Sequence, residues 1–375
     1  MAKATSKKGN TPAKKELINP TSYAFLKTYI NNASPVGFET SGQKLWLDYI
    51  KKYVDTTFTD AYGTAVGVIN PDAPFKVVIE AHADEISWFV NYINDQGLIH
   101  LKRNGGVDHQ IAPSMRVWIH GKKGPVKAVF GWPAIHTRLS NPEQKEPQPK
   151  VDNLTLDCGA RSKKEVEALG IHVGSVVTYE EGFDELANNF IIGRAFDNRV
   201  GGFMIAEVAR ILKENKKKLP FGLYIVNAVQ EEIGLRGAEM IARRIKPNIA
   251  IITDVTHDTH TPMINKAIEG DIQCGKGPSL AYAPAIHNKL LAIVENTAKA
   301  KKIPVQFRTL SRSTGTDTDS FAYANDGCPS VLISIPLRYM HTTVEMLHKK
   351  DIEMTIQLMY ETLLTLSPKT NLSYL

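Results

Sequence analysis

The chain has 375 residues, 43% hydrophobic and 8% aromatic, which exceeds one ordinary domain and suits a protein with a packed core. The formal net charge is +6, and most of that excess lies near the amino terminus, where Lys3, Lys7, Lys8, Lys14 and Lys15 stand against Glu16. The remainder is close to neutral, which argues against a nucleic-acid surface, and no run of about 18 apolar residues is present to span a membrane.

Residues 1–18 lack an apolar h-region, so they read as a disordered, solvated basic tail rather than a secretory signal. Two amphipathic helices follow, one marked by Phe25, Leu26, Tyr29 and Ile30, the next by Trp46, Tyr49, Ile50 and Tyr53. A β-rich stretch, Thr57–Ile69, is broken by Gly63 and Gly67. Phe75–Ala81 (FKVVIEA) then reads as a buried strand leading into His82. From Ile86 to Val177 short β-like runs, such as Ser114–His120 and Val126–Phe130, alternate with Gly, Pro and Lys turns, without a long helix. Polar, proline-bearing Thr137–Pro149 reads as an exposed loop. The block is expected to form a small all-β domain inserted into the first.

After Gly193 the pattern changes to α/β. Val200, Met204, Val208 and Ile211 mark a helix, Phe221–Val229 a strand, Ala238–Ile245 a helix and Asn248–Thr253 a strand. A helix over Asn288–Lys301, a strand over Ser330–Ile335 and a last helix with Ile352, Ile356, Met359 and Leu363 complete the series. Such alternation implies a largely parallel sheet covered on both faces. The expected fold class is therefore α/β, with a catalytic domain built from residues 19–85 and 187–375 and an inserted β-rich domain at 86–186. Cys158, Cys274 and Cys328 are widely spaced and contain no Cys-x-x-Cys pair. This disfavours disulfides and a thiolate zinc site, and suits the reducing cytoplasm.

Acidic and histidine residues recur where buried strands end. His82 and Asp84 follow FKVVIEA, Glu231 and Glu232 follow FGLYIVNAVQ, Asp254 follows NIAIIT, and His341 comes shortly after PSVLISI. Asp197 opens a helix in GRAFDNRVGG. In a parallel α/β sheet, ligand sites gather at the carboxyl ends of strands, so five segments converge on one crevice. Imidazoles and carboxylates without thiolates suit zinc, cobalt or manganese. Two divalent ions about 3.5–4 Å apart need one bridging carboxylate and two further ligands each. His82, Asp197, Glu232, Asp254 and His341 supply that number. Asp84 can accept the other N–H of the His82 imidazole and fix its tautomer. Glu231, beside a ligand, is the natural general base for a water whose pKa zinc lowers to about 7. Singly, each piece has an ordinary reading as a loop hydrogen bond or a solvated helix start. Jointly, five sites at apolar strand ends, where an unpaired carboxylate is costly, point to metal binding.

The segments AHADEI, GRAFDNRVGG, VQEEIGLRGA, ITDVT, GKGP, GTDTD and IPLRYMHTTVE occur in the order found in the tetrahedral (TET) aminopeptidases of metallopeptidase family 42. The resemblance runs from about Pro35 to the carboxyl terminus. It implies the αβα sandwich of co-catalytic zinc exopeptidases, carrying an inserted dimerisation domain. It also implies a cytoplasmic homo-oligomer, in many members a dodecamer around an inner chamber, acting on peptides with a free N-terminus. Carried over position by position, it assigns His82 and Asp254 to one metal and Glu232 and His341 to the other, with Asp197 bridging. Glu231 becomes the catalytic acid/base and Asp84 its orienting companion. Asn198 and Ser87 depart from the usual residues without touching an expected ligand, and Thr137–Pro149 is longer than usual. The GTDTD stretch, Gly315–Asp319, reads either as a specificity-pocket wall or as a turn held by Asx hydrogen bonds. A deacylase or dipeptidase with the same ligands, a metal-independent glycosidase and a non-catalytic chamber protein are the competing readings.

Overall fold

The computed structural model describes residues 17–139 and 146–375. Nearly all of the expected basic tail, and part of the Thr137–Pro149 loop, lie outside those residues. Helices α1 (Pro20–Asn31) and α2 (Thr40–Ile50) come first. Asn19 caps α1 through Oδ1, which accepts from the Ser22 amide at 2.9 Å, and Pro20 enters where no helical donor is needed. Of the residues that mark these helices in the sequence, Leu26, Tyr29, Ile30, Trp46, Tyr49 and Ile50 are buried.

Strands β1 (Thr56–Thr59) and β2 (Ala65–Ile69) form a hairpin, and β3 (Lys76–His82) runs into the centre of the sheet. The next six strands are β4 (Ser87–Ile93), β5 (Ile99–Asn104), β6 (Arg116–Gly121), β7 (Gly124–Gly131), β8 (Thr155–Asp157) and β9 (Val176–Tyr179). They close into a barrel in the order β4-β5-β8-β7-β6-β9. Its interior is a separate apolar cluster in which Trp88 meets Phe130 edge-on, with ring centroids 5.5 Å apart. Two short helices that the pattern did not suggest, α3 (Ile135–Arg138) and α4 (Lys163–Ala168), interrupt the barrel strands. The first occupies the start of the segment read as a loop.

The chain returns through β10 (Asp184–Glu185) and β11 (Phe190–Gly193) to α5 (Phe196–Glu214). After it come β12 (Gly222–Ala228), α6 (Arg236–Ile245), β13 (Ile249–His257), α7 (Lys266–Glu269), β14 (Ser279–Tyr282) and α8 (Asn288–Lys301). The last elements are β15 (Gln306–Thr309), α9 (Thr318–Ala322), β16 (Ser330–Leu337), β17 (Glu345–His348) and α10 (Lys349–Thr365). Eight strands make one sheet in the order β1-β2-β12-β3-β13-β16-β14-β15. Its four central strands, β12, β3, β13 and β16, are mutually parallel, but β2 and β14 join them antiparallel. The sheet is therefore mixed rather than largely parallel. The four-residue strands β14 and β15 lack the long apolar runs that make a central strand readable in sequence.

Helices α1, α2, α8 and α10 pack around α5 and the sheet, while α6 and α9 pack on each other and on β12, β13 and β16. One continuous core joins the sheet to both sets of helices. Gly201 lets α5 lie close to β3, since a Cβ there would stand 2.8 Å from the Ala81 Cβ and 2.2 Å from Asn198 Oδ1. Among the described residues no helix is long and apolar enough to cross a membrane.

Candidate metal centre

Strand β3 is buried on both faces from Val77 onward, since it lies between β12 and β13 in the middle of a covered sheet, and His82 is its last residue, 1% exposed. Beyond the end of β12 the backbone turns sharply: Gln230 takes φ 59°, Glu231–Ile233 form a 3₁₀ turn, and Gly234 takes φ 114°. Asp254 lies within β13 opposite Ser334, because that strand runs on to His257, past the Thr253 expected from the sequence. Asp197 stands in the first turn of α5, and its peptide bond to Asn198 is cis. His341, at φ 62°, lies in the loop between β16 and β17.

Six of the seven sequence-predicted residues, His82, Asp197, Glu231, Glu232, Asp254 and His341, line one cavity of about 330 Å³. The two oxygens of Asp197 face different imidazoles. Oδ1 is 3.2 Å from His82 Nε2, and Oδ2 is 3.2 Å from His341 Nε2. Glu232 Oε1 is also 3.2 Å from His341 Nε2, whereas Asp254 Oδ1 and Glu231 Oε2 are 3.9 and 3.8 Å from His82 Nε2. Among the described residues, two groups each bring their ligand atoms within 4.8 Å of one another: His82, Glu231 and Asp254, and His82, Asp197 and Glu232.

Asp84, the seventh residue, is fully buried behind the cavity. Its carboxylate accepts from the Glu231 amide (3.0 Å) and the Glu232 amide (3.1 Å). His82 Nδ1 lies 3.3 Å from the Asp84 main-chain oxygen and 3.5 Å from its Oδ1. The main hydrogen bonds of this carboxylate thus go to the Glu-Glu turn, and its contact with the imidazole is the longer one.

The electrostatics fit a cation site. Burial pushes the Glu231, Glu232 and Asp254 carboxyls up, with neighbouring acids adding to the rise and histidines opposing it. Burial acts on Asp197 in the same sense, but hydrogen bonds from His341 and His82 overcome it and hold that carboxyl below the usual range. Burial would lower both imidazoles, yet the surrounding carboxylates take His341 up to about 12 and His82 well above its ordinary value. Positive charge brought among these groups would lower every carboxyl and release the imidazole protons, which is the donor state a divalent ion requires. The donor set of nitrogen and oxygen, without sulfur, matches zinc, cobalt or manganese.

A family model described as M42 glutamyl aminopeptidase matches residues 63–358. The chain belongs to the M42 aminopeptidase family. It is thereby a hydrolase that acts on peptide bonds. Lysyl aminopeptidase from Pyrococcus furiosus is 31% identical over 349 residues, covering 92% of this M42 chain and 98% of its own. A TET aminopeptidase from a marine sediment Thaumarchaeota archaeon is 29% identical and superposes with a TM-score of 0.88, over 93% of this chain and 97% of that one. The Pyrococcus horikoshii TET1 peptidase, which can assemble into a tetrahedron or an octahedral shell, shares the fold at 24% identity. Its TM-score is 0.80, with coverage of 91% and 98%.

Several residues of this M42 site escaped the sequence reading. Glu345 is buried, and its two oxygens accept from the Asp197 amide (3.1 Å) and the His341 amide (2.8 Å). It stands in the IPLRYMHTTVE segment, the one signal that could have found it. Gly106, from the barrel, closes on the site: a Cβ there would stand 3.0 Å from the His341 ring. The GTDTD stretch forms a turn beside the cavity. Asp319 accepts from the Thr314 (2.9 Å) and Gly315 (3.3 Å) amides, while Thr314, Gly315 and Thr316 line the cavity. Asp317 points instead at Glu80 in the core, where burial raises both carboxyls.

Proposed function

We propose that this M42 chain removes amino-terminal residues from peptides with a free N-terminus, using two divalent metal ions per subunit, zinc first among them, with cobalt and manganese as alternatives. The observation that carries this reading is the pair of 3.2 Å approaches from the two Asp197 oxygens to His82 and His341. One carboxylate shared between two imidazoles is the arrangement a bridging ligand needs. His82 and Asp254 would hold one ion, and Glu232 and His341 the other. When bound, such ions supply a water of lowered pKa and polarise the scissile carbonyl.

The chain's own groups would do the rest. Asp84 positions the Glu231–Glu232 turn through its two amide hydrogen bonds and so aims both carboxylates into the cavity. Glu231 accepts the proton of the attacking water and delivers it to the departing amine. The acidic cavity also favours the ammonium group of a free N-terminus. The chain would act as a homo-oligomer that uses its barrel, residues 86–186, for dimerisation, and the dodecamer is the assembly the shared fold suggests. A reducing cytoplasmic location suits the three free cysteines.

Glu231→Gln tests the role of the base. Turnover of aminoacyl anilides should fall by about 10²–10⁴-fold, while elemental analysis still finds two metals per subunit. Near-normal turnover in that variant would remove Glu231 from the mechanism.

A further inference from the structure

A buried acid close to the site has no part in the mechanism above. Glu39 immediately precedes α2 and is 3% exposed. An acidic residue at the start of a helix ordinarily serves that helix, through its unpaired amides or its dipole. Glu39 does not cap α2 through its side chain. Its Oε1 turns back instead and accepts from the Gly37 amide at 2.7 Å. The chain folds back there through Gly37 at φ +79°, a conformation that favours glycine. Burial pushes the Glu39 carboxyl up to about 7, and the charge of Asp84 adds to the rise. The amides of Gly37, Glu39 and Gln230 oppose it. Glu39 thus lies within reach of both Asp84 and the Gln230 amide.

Gln230 opens the turn that carries Glu231 and Glu232. Its φ of 59° leads into the 3₁₀ turn, and such a change of hand aims successive amides into one concavity suited to anions. Two carboxylates serve those amides. Asp84 takes Glu231 (3.0 Å) and Glu232 (3.1 Å), and Glu39 faces Gln230 before them. The carbonyl side of the turn is held by the entry to α6: the Gln230 oxygen accepts from the Arg236 amide (3.1 Å), and the Glu231 oxygen from those of Gly234 (2.8 Å) and Leu235 (2.9 Å). Segment 34–39 is itself fastened beside the chain leaving His82, since the Val36 amide donates to the Glu85 oxygen (3.1 Å) and the Glu85 amide to the Ser34 oxygen (3.0 Å). Of the two glutamates on the turn, Glu232 has a side-chain anchor 3.2 Å away in His341, whereas Glu231 comes no nearer than 3.8 Å to His82. The aim of Glu231 depends more on its backbone.

Resting on the aminopeptidase reading above, we infer that Glu39 is a positioning residue for the general base: together with Asp84 it fixes the turn from which Glu231 reaches the attacking water. Glu39 does not line the cavity, so it acts on turnover without holding metal or substrate.

The experiment measures kcat and KM of the metal-loaded enzyme on aminoacyl anilides for Glu39→Ala and Glu39→Gln, each alone and combined with Glu231→Gln. Metal per subunit and the melting midpoint are recorded for every variant. Glu39→Ala should lower kcat about 10²-fold, the cost of a base displaced by about 1 Å, with KM within about twofold and two metals retained. Glu39→Gln keeps the length and one acceptor oxygen, so it should recover about tenfold of that loss. In the Glu231→Gln background Glu39→Ala should cost less than about threefold more, because a residue that acts through the base has nothing left to position. An undiminished effect in that background would overturn the inference, and so would a loss of metal or a rise in KM that accounts for the lost activity. An active wild type with normal kcat in Glu39→Ala sinks the inference alone. A wild type that cleaves no anilide or peptide sinks the aminopeptidase reading and this inference with it, so the two failures are distinguishable.

Discussion

Two buried carboxylates do parallel work around the candidate centre, and neither lines the cavity. Asp84 accepts from the amides of Glu231 and Glu232, and Glu345 accepts from those of Asp197 and His341. Each acid thereby sets the backbone under two cavity-facing side chains, which is how a metal site obtains fixed donors. Glu345→Gln keeps the shape but leaves one acceptor oxygen where two are used. We expect metal affinity to fall about 10- to 100-fold, read by competition with a chromogenic chelator, and activity to return when metal is added in excess. Loss of activity with unchanged metal affinity would assign Glu345 a different role. The placement of His82, Glu231 and Glu232 at strand ends is visible in the sequence because the flanking apolar runs announce the strands, and the same run announces Asp254, although β13 carries on past it to His257. The task of Glu345 is not visible, because a carboxylate that accepts from main-chain amides leaves no periodic signature.

At the level of elements, the barrel and the sandwich meet at the candidate metal centre rather than merely adjoining each other. Gly105, at φ +85°, and Gly106 follow β5 and bring barrel backbone against Glu232 and His341. Gly106 is not among the positive-φ residues, so alanine can take its backbone conformation. Its Cβ would nevertheless press on the His341 ring from 3.0 Å and displace it by a few tenths of an ångström. Gly106→Ala should therefore weaken metal retention and lower kcat/KM while leaving the melting midpoint of the metal-free protein nearly unchanged. A fall in that midpoint would show that the glycine serves packing instead. Helices such as α5 and α10 were legible from their 3.6-residue periodicity. The short strands β14, β15 and β17 were not, since four residues carry too little pattern to separate strand from loop. Thus β15 stayed out of view until the sheet placed it.

For the whole molecule, ions that bind the folded chain and not the unfolded one stabilise it by about 2.7 kcal/mol per site at a hundredfold excess over Kd. Dialysis against a strong chelator should abolish peptidase activity and lower the melting midpoint, and zinc, cobalt or manganese should restore both. Chelator-resistant cleavage would contradict the metal reading. Light scattering on the same sample is expected to give a multiple of the 41.6 kDa chain mass.

The sequence alone determined the α/β class, the β-rich stretch after Ile86 and the acids and imidazoles at the ends of buried strands. These are local properties, written in the alternation of apolar and polar residues within a few turns of chain. Only the tertiary structure decided the mixed direction of the sheet, the barrel's closure and its glycine wedge at the candidate metal centre, and the pairing of Glu345 with amides that include one 148 residues away. Each of those is a contact between segments far apart in the chain, and its strength depends on burial and distance that no local pattern encodes.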